Sequence, residues 1–208
     1  MRIKFTSAIL LVALMFSCKS ATTHQEADTT ATANYEVIPA PQMISKPSMN
    51  ANKPFVLTAN TKITYPKGDV DLERYAGFLK EYIQKQSGIA LNIALDEGKP
   101  SNNIVLLQNY NNENKEGYQV SIDADHITIN GASKAGTFYG VQFLRKSITV
   151  LKTKKIIFPA QQITDQPYFA YRGGHLDSAR HFFTADSIRI FIDMLALHNM
   201  NRFHWHLT

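Results

Sequence analysis

The sequence predicts an α/β protein of two unequal parts. A small N-terminal α+β domain, a sheet covered by two helices, precedes the strand–helix–strand opening of a parallel barrel or doubly wound sheet. Three observations carry this expectation. Between residues 35 and 165, short segments of period two alternate with two stretches whose apolar residues recur at helical spacing. Asp165-Gln-Pro167 then breaks the pattern, since the residue before a proline is pushed out of the helical region. After the break come strand, helix and strand with a short return, the repeating step of parallel α/β folds.

In the first part, Phe55–Thr58 and Ile63–Tyr65 read as short strands around a turn at Asn60. Asp71–Gln86 is helical, with Leu72, Tyr75, Ala76, Leu79, Tyr82 and Ile83 on one stripe. Ser87-Gly88 ends it, glycine being suited to the left-handed position after a helix. Leu91–Leu95 and Ile104–Leu107 are strands. Tyr118–Ile122 and His126–Asn130 alternate with period two across an Asp123-Ala-Asp125 turn and pair as a hairpin. Lys134–Lys146 is the second helix, and Thr149–Lys152 with Ile156–Phe158 is read as a last hairpin. In the second part, Phe169-Ala-Tyr171 leads a strand to Leu176. Thr184 caps a helix carrying Ile188, Phe191, Ile192 and Leu195, and Arg202–Leu207 is the next strand.

Composition bounds the function. The chain has 208 residues, 44% of them hydrophobic, which is ample for a core. The net charge of +5 is spread along the chain, with Lys152, Lys154 and Lys155 the one tight basic group. No basic face or recognition motif accompanies it, so a nucleic-acid partner is not expected. Met1–Lys4 is a short basic region and Ala8–Phe16 an apolar run too short to span a bilayer, the layout of a secretory signal. Ser17-Cys18 follows, and Cys18 is the single cysteine, so no intramolecular disulfide is possible. This arrangement resembles a bacterial lipoprotein signal, in which that cysteine becomes the lipidated N-terminus; an ordinary signal peptide is the alternative. The resemblance implies residues 1–18 as the signal and an exported protein, periplasmic or outer-membrane, held to the membrane through Cys18. Residues 19–34, rich in Thr, Ala and Ser, read as a disordered tether.

Two clusters could carry chemistry. Arg172, Asp177, Arg180 and His181 place four charged or titratable residues in ten, interleaved with Gly173-Gly174. Ligands of parallel barrels bind at the C-terminal ends of the strands, and an arginine there offers a planar fork of donors to hydroxyls or a carboxylate. The bland reading is an ion pair of Asp177 with Arg180. His204 and His206 stand two apart on a strand and share a face, either into the barrel or out of it. Such a pair suits a metal, but no third ligand is evident, and a hydrogen-bonded pair lining the site floor is expected; satisfied core histidines are the alternative.

These residues carry a resemblance. Arg172-Gly-Gly-His-Leu-Asp-Ser-Ala-Arg-His-Phe-Phe183, the helix end Leu195-Ala-Leu-His-Asn-Met-Asn201, and Phe203-His-Trp-His-Leu-Thr208 resemble the start of the catalytic barrel of glycoside hydrolase family 20, the β-N-acetylhexosaminidases. Ile38-Pro-Ala-Pro41 and Ile127–Leu144 resemble the beginning and end of that family's small N-terminal domain. The resemblance implies a domain at 35–165 followed, over 166–208, by the first βα unit and second strand of a TIM barrel. It implies removal of terminal β-linked N-acetylglucosamine or N-acetylgalactosamine with retention, an exception to the two-carboxylate scheme. In it the substrate's acetamido oxygen attacks the anomeric carbon, an aspartate orients that group, and an adjacent glutamate is the acid/base; no metal or organic cofactor is implied. Arg172 is the residue expected to bind the sugar hydroxyls, with Asp177, Arg180, His204 and His206 supporting the site. The family's catalytic Asp-Glu pair is expected beyond Thr208, and Asp96-Glu97 in the small domain is no substitute. The chain is therefore expected to be the N-terminal piece of a longer enzyme, inactive by itself. A non-catalytic carbohydrate-binding lipoprotein and a metal hydrolase built on His204 and His206 are the competing expectations.

Overall fold

A computed structural model describes residues 29–46, 53–98 and 102–208. In chain order the strands and helices are β1 (Thr30–Thr32), β2 (Met43–Ser45), β3 (Phe55–Leu57), β4 (Lys62–Tyr65), α1 (Val70–Ser87), β5 (Asn92–Leu95), β6 (Asn103–Leu107), β7 (Tyr118–Ile122) and β8 (His126–Gly131). They continue with α2 (Lys134–Ser147), β9 (Lys155–Phe158), β10 (Gln161–Asp165), β11 (Gly173–Asp177), α3 (Ala185–Leu197) and β12 (Arg202–His206).

The large sheet has seven strands in the order β2-β10-β7-β8-β6-β4-β5. Period-two alternation builds it: Tyr118, Val120 and Ile122 of β7 and Ile127 and Ile129 of β8 are buried, and the residues between them are not. α1 and α2 pack against this sheet and against each other. The expected stripe of α1 is the one it buries, through Leu72, Ala76, Leu79 and Ile83. Asp69 caps its start, accepting from the N–H groups of Asp71 and Leu72, and Gly88 ends it at φ +80°. A second sheet, β1-β9-β3, closes the core where Phe55 and Phe158 meet edge to face, 6.5 Å between ring centres.

The glycines of the Ile127–Leu144 motif have a packing reason. A Cβ on Gly131 would lie 2.0 Å from the Thr137 backbone N, and one on Gly136 would lie 2.1 Å from the Gly117 carbonyl O. Strand β8, helix α2 and the loop before β7 touch through bare backbone, and no other residue fits there.

Two expectations need correction. Residues 30–32 were placed in the disordered tether; they form β1, paired in parallel with β9 through Ala31↔Ile156. Residues 19–28, and Cys18 with the signal before them, lie outside the described residues. The last hairpin is also different. Residues 149–152 are not a strand, Lys152 having φ +62°, and β9 pairs instead with β1 and β3. Gln161–Asp165, to which the sequence reading gives no element, is a strand, β10, lying antiparallel between β2 and β7.

Beyond Pro167 the strand–helix–strand step is present, with β11 and β12 parallel and in register from Gly173↔Arg202 to Asp177↔His206. α3 begins at a Thr184 cap, whose side chain accepts from Ser187 N, and covers one face of the pair. Phe191 of α3 meets Phe203 of β12 at 5.5 Å, and a Cβ on Gly174 would run into Leu195. The fold is thus an α/β domain followed by the start of a barrel, as the sequence indicates.

Candidate active site

The direction of β11 and the side covered by α3 decide where each polar side chain can act. Gly174 and Phe203 face α3, which lies on the outside of a parallel barrel. Period two then puts His175, Asp177, His204 and His206 on the opposite, inner face. His175 and His204 are register partners with ring centres 4.6 Å apart, and His175 and His206 are 6.3 Å apart. The open question of which way His204 and His206 point is answered: both look inward. Among the described residues no three His, Cys, Asp or Glu side chains converge as metal ligands. The three imidazoles stand together on this face.

Arg172 lies at the other end of the strand, one residue before β11 begins. There its guanidinium is fully engaged. Nε donates to Asn199 O at 2.8 Å, Nη1 to Glu116 Oε2 at 3.0 Å and Phe169 O at 2.7 Å, and Nη2 to Glu116 Oε1 at 2.9 Å and the Tyr139 hydroxyl at 3.0 Å. An arginine side chain has five N–H groups, and these bonds occupy all five. Asn201 Nδ2 adds a bond to Glu116 at 3.2 Å. The Arg172 guanidinium, with help from Asn201 and Tyr139 and against partial burial, holds the Glu116 carboxyl below the usual glutamate range. Burial, reinforced by the Glu116 charge, pushes the Tyr139 hydroxyl up to about 12. The expectation that Arg172 presents its fork to sugar hydroxyls therefore needs correction. It stands at the N-terminal end of its strand, away from the ligand side, and joins the small domain to the barrel's first strand. A second tie runs beside it, Arg145 of α2 gripping Asp193 of α3 through two bonds of 2.7 Å.

The ligand side is the C-terminal end of β11 and β12. Asp177 closes β11 there, and its Oδ1 accepts the backbone N–H groups of Ala179 at 3.0 Å and Arg180 at 3.1 Å. His206 Nδ1 lies 3.2 Å from the same oxygen, and Arg180 Nε lies 3.5 Å from Oδ2. The backbone N–H of Arg180, then the imidazole of His206 and the N–H of Ala179, keep the Asp177 carboxyl low against its desolvation. Trp205 Nε1 reaches across to Ser178 Oγ at 2.7 Å, fixing the turn from the neighbouring strand. The Arg180 side chain, 84% exposed, projects from this turn into solvent. The expected Asp177–Arg180 ion pair is present; it is one corner of a larger arrangement. Sequence reasoning did not single out Glu116, Tyr139 or Asn201, whose partners lie 56, 33 and 85 residues away along the chain.

A small α/β domain clamped to a strand–helix–strand unit with its polar side chains on one face is the class of protein this chain represents: an α/β domain followed by the start of a barrel. The comparisons with known proteins say which. The profile for glycosyl hydrolase family 20, domain 2, matches residues 34–166, and that for the family's catalytic domain matches residues 169–208. The chain belongs to glycosyl hydrolase family 20. It is 33% identical over 146 residues to a β-hexosaminidase of Porphyromonas gingivalis, covering 66% of this chain and 19% of that protein. It is 30% identical over 173 residues to a β-N-acetylhexosaminidase of Cellulomonas fimi, covering 83% and 34%. Among solved structures, Streptomyces plicatus N-acetyl-β-hexosaminidase superposes with a TM-score of 0.71 at 26% identity, covering 83% of this chain and 34% of the other. A mutant of that enzyme in complex with its product, GlcNAc, superposes equally well at 27% identity over the same shares. The chain thus spans about a third or less of the length of these relatives.

Proposed function

We propose that this chain is the N-terminal part of a β-N-acetylhexosaminidase that removes terminal β-linked N-acetylglucosamine or N-acetylgalactosamine by the substrate-assisted, retaining route. The observation that carries the reading is the β11–α3–β12 unit, whose polar residues collect at the strand ends where parallel barrels hold their substrates. Its membership of the family and its likeness to an enzyme holding GlcNAc support the substrate class. In this reading Arg180 offers charge-assisted hydrogen bonds to sugar hydroxyls, Asp177 fixes it, and His175, His204 and His206 line the floor. The acetamido group of the substrate is the nucleophile, so no cofactor enters the reaction.

Residues 169–208 contain no adjacent Asp-Glu pair. The 208-residue polypeptide is therefore expected to release no nitrophenol from p-nitrophenyl N-acetyl-β-glucosaminide. The protein extended through the remainder of the catalytic domain is expected to release it. Turnover by the short polypeptide, or none by the extended one, would refute the assignment.

Export and a lipid anchor at Cys18 are part of the same proposal and rest on the basic, apolar and cysteine order of residues 1–18. A labelled fatty acid fed to expressing cells is expected to mark the protein and to leave the Cys18→Ser variant unmarked. Equal labelling of the two would end the anchor idea.

A further inference from the structure

We propose that His206 is a positioning residue: acting through Asp177, it sets where the Arg180 guanidinium stands. The inference rests on the hexosaminidase reading above and deepens it, since nothing in that reading gives His206 a task beyond lining the floor.

The geometry is that of one carboxylate serving three masters. Asp177 Oδ1 receives two backbone N–H groups of the turn and also faces His206 Nδ1 at 3.2 Å. Its second oxygen meets Arg180 Nε at a long 3.5 Å. A carboxylate has about four lone-pair sites in all, and a bidentate arginine would need both oxygens turned toward it. With His206 held on Oδ1, the carboxylate plane is fixed, and Arg180 has a single, stretched contact. Its fork stays directed outward, 84% exposed. Without the imidazole, Oδ1 keeps its two backbone N–H bonds but the carboxylate can tilt about them, bringing Oδ2 closer to the guanidinium and drawing it off the ligand side. The rest of the turn is independently pinned, by Ser178 N–H to His206 O at 2.9 Å and by Trp205 to Ser178. Loss of the imidazole therefore changes the arginine's direction and leaves the backbone in place.

The test uses the extended, active enzyme with p-nitrophenyl N-acetyl-β-glucosaminide. His206→Asn places an amide donor where Nδ1 stands and is expected to retain near wild-type kinetics. His206→Gln carries the same amide one carbon further out, and His206→Leu has no donor. Both are expected to raise KM roughly tenfold while kcat changes little, the energy of one lost orienting bond. In the Arg180→Ala background the same substitutions are expected to cost nothing more, because a residue acting through Arg180 has no route left. Additive losses in the double variants, or a KM unmoved by His206→Gln, overturn the proposal while the hexosaminidase reading stands. A wild-type enzyme without turnover overturns both. Should His206→Leu fail to fold, the contrast between His206→Asn and His206→Gln decides the matter alone.

Discussion

Arg172→Ala is expected to lower the protein's stability by about 3 kcal/mol, the cost of breaking a largely buried ion pair and leaving one partner behind. The side chains of Arg172 and Glu116 are only 14% and 23% exposed, so water repairs little of the loss. Removing the guanidinium leaves the Glu116 carboxylate without its counter-charge, held only by the neutral donors Tyr139 and Asn201, and unpairs two carbonyls, those of Phe169 and Asn199. Arg172→Lys is expected to recover little, because a point charge cannot reproduce five bonds in a plane. The reading is a fall in the unfolding midpoint of the extended enzyme, with KM of the folded fraction unchanged. A variant that melts with wild type would show that the clamp is idle. The effect carries a pH signature. The folded-state pKa of Glu116 lies below its ordinary value of 4.5, so its contribution is complete above that value. It is lost as pH falls from there through the lowered folded-state pKa. Glu116→Gln is expected to remove that part of the acid destabilisation.

Arg180→Ala is expected to do the opposite: leave the unfolding midpoint where it was and reduce kcat/KM by on the order of a hundredfold. Charge-assisted hydrogen bonds contribute about 1.5–3 kcal/mol each, two of them to neighbouring hydroxyls already exceed two decades in rate, and an 84%-exposed side chain has no packing to lose. Arg180→Lys should keep part of the activity. Wild-type kcat/KM for Arg180→Ala on the nitrophenyl substrate would remove it from the site. The two arginines, eight residues apart in sequence, thus separate cleanly: one variant moves stability, the other moves catalysis.

That separation was not readable from residue types. The pattern of charges at Arg172, Asp177 and Arg180 marked the right stretch, but its meaning depends on where the strand begins. An expected start at Phe169 puts Arg172 within the strand; the observed start at Gly173 puts it outside, at the N-terminal end. Glu116, the residue that determines that arginine's fate, is 56 positions away in a loop with no signal of its own. Where structure was dictated locally, the sequence sufficed. α1 carried its buried stripe and its Gly88 stop, and β7 with β8 carried their alternation and turn. β1, β2 and β10 were missed because they are short and partly polar, their strand character conferred by distant partners such as Ile44↔Ile163. His204 and His206 were correctly paired on one face, but only the packing of α3 on the other side told inside from outside.

The strand order also dictates how the protein must be made. Strand β10 is the sheet partner of β2, so residues 43–45 wait until residues 161–165 have been synthesised. At roughly 5–20 residues per second that is an interval on the order of ten seconds. β1 waits in the same way for β9. The small domain therefore closes late, with its last strand, and β11 follows only a few residues behind. When Arg172 leaves the ribosome, Glu116 and Tyr139 are already in place to receive it, and the barrel starts to grow from a finished foundation.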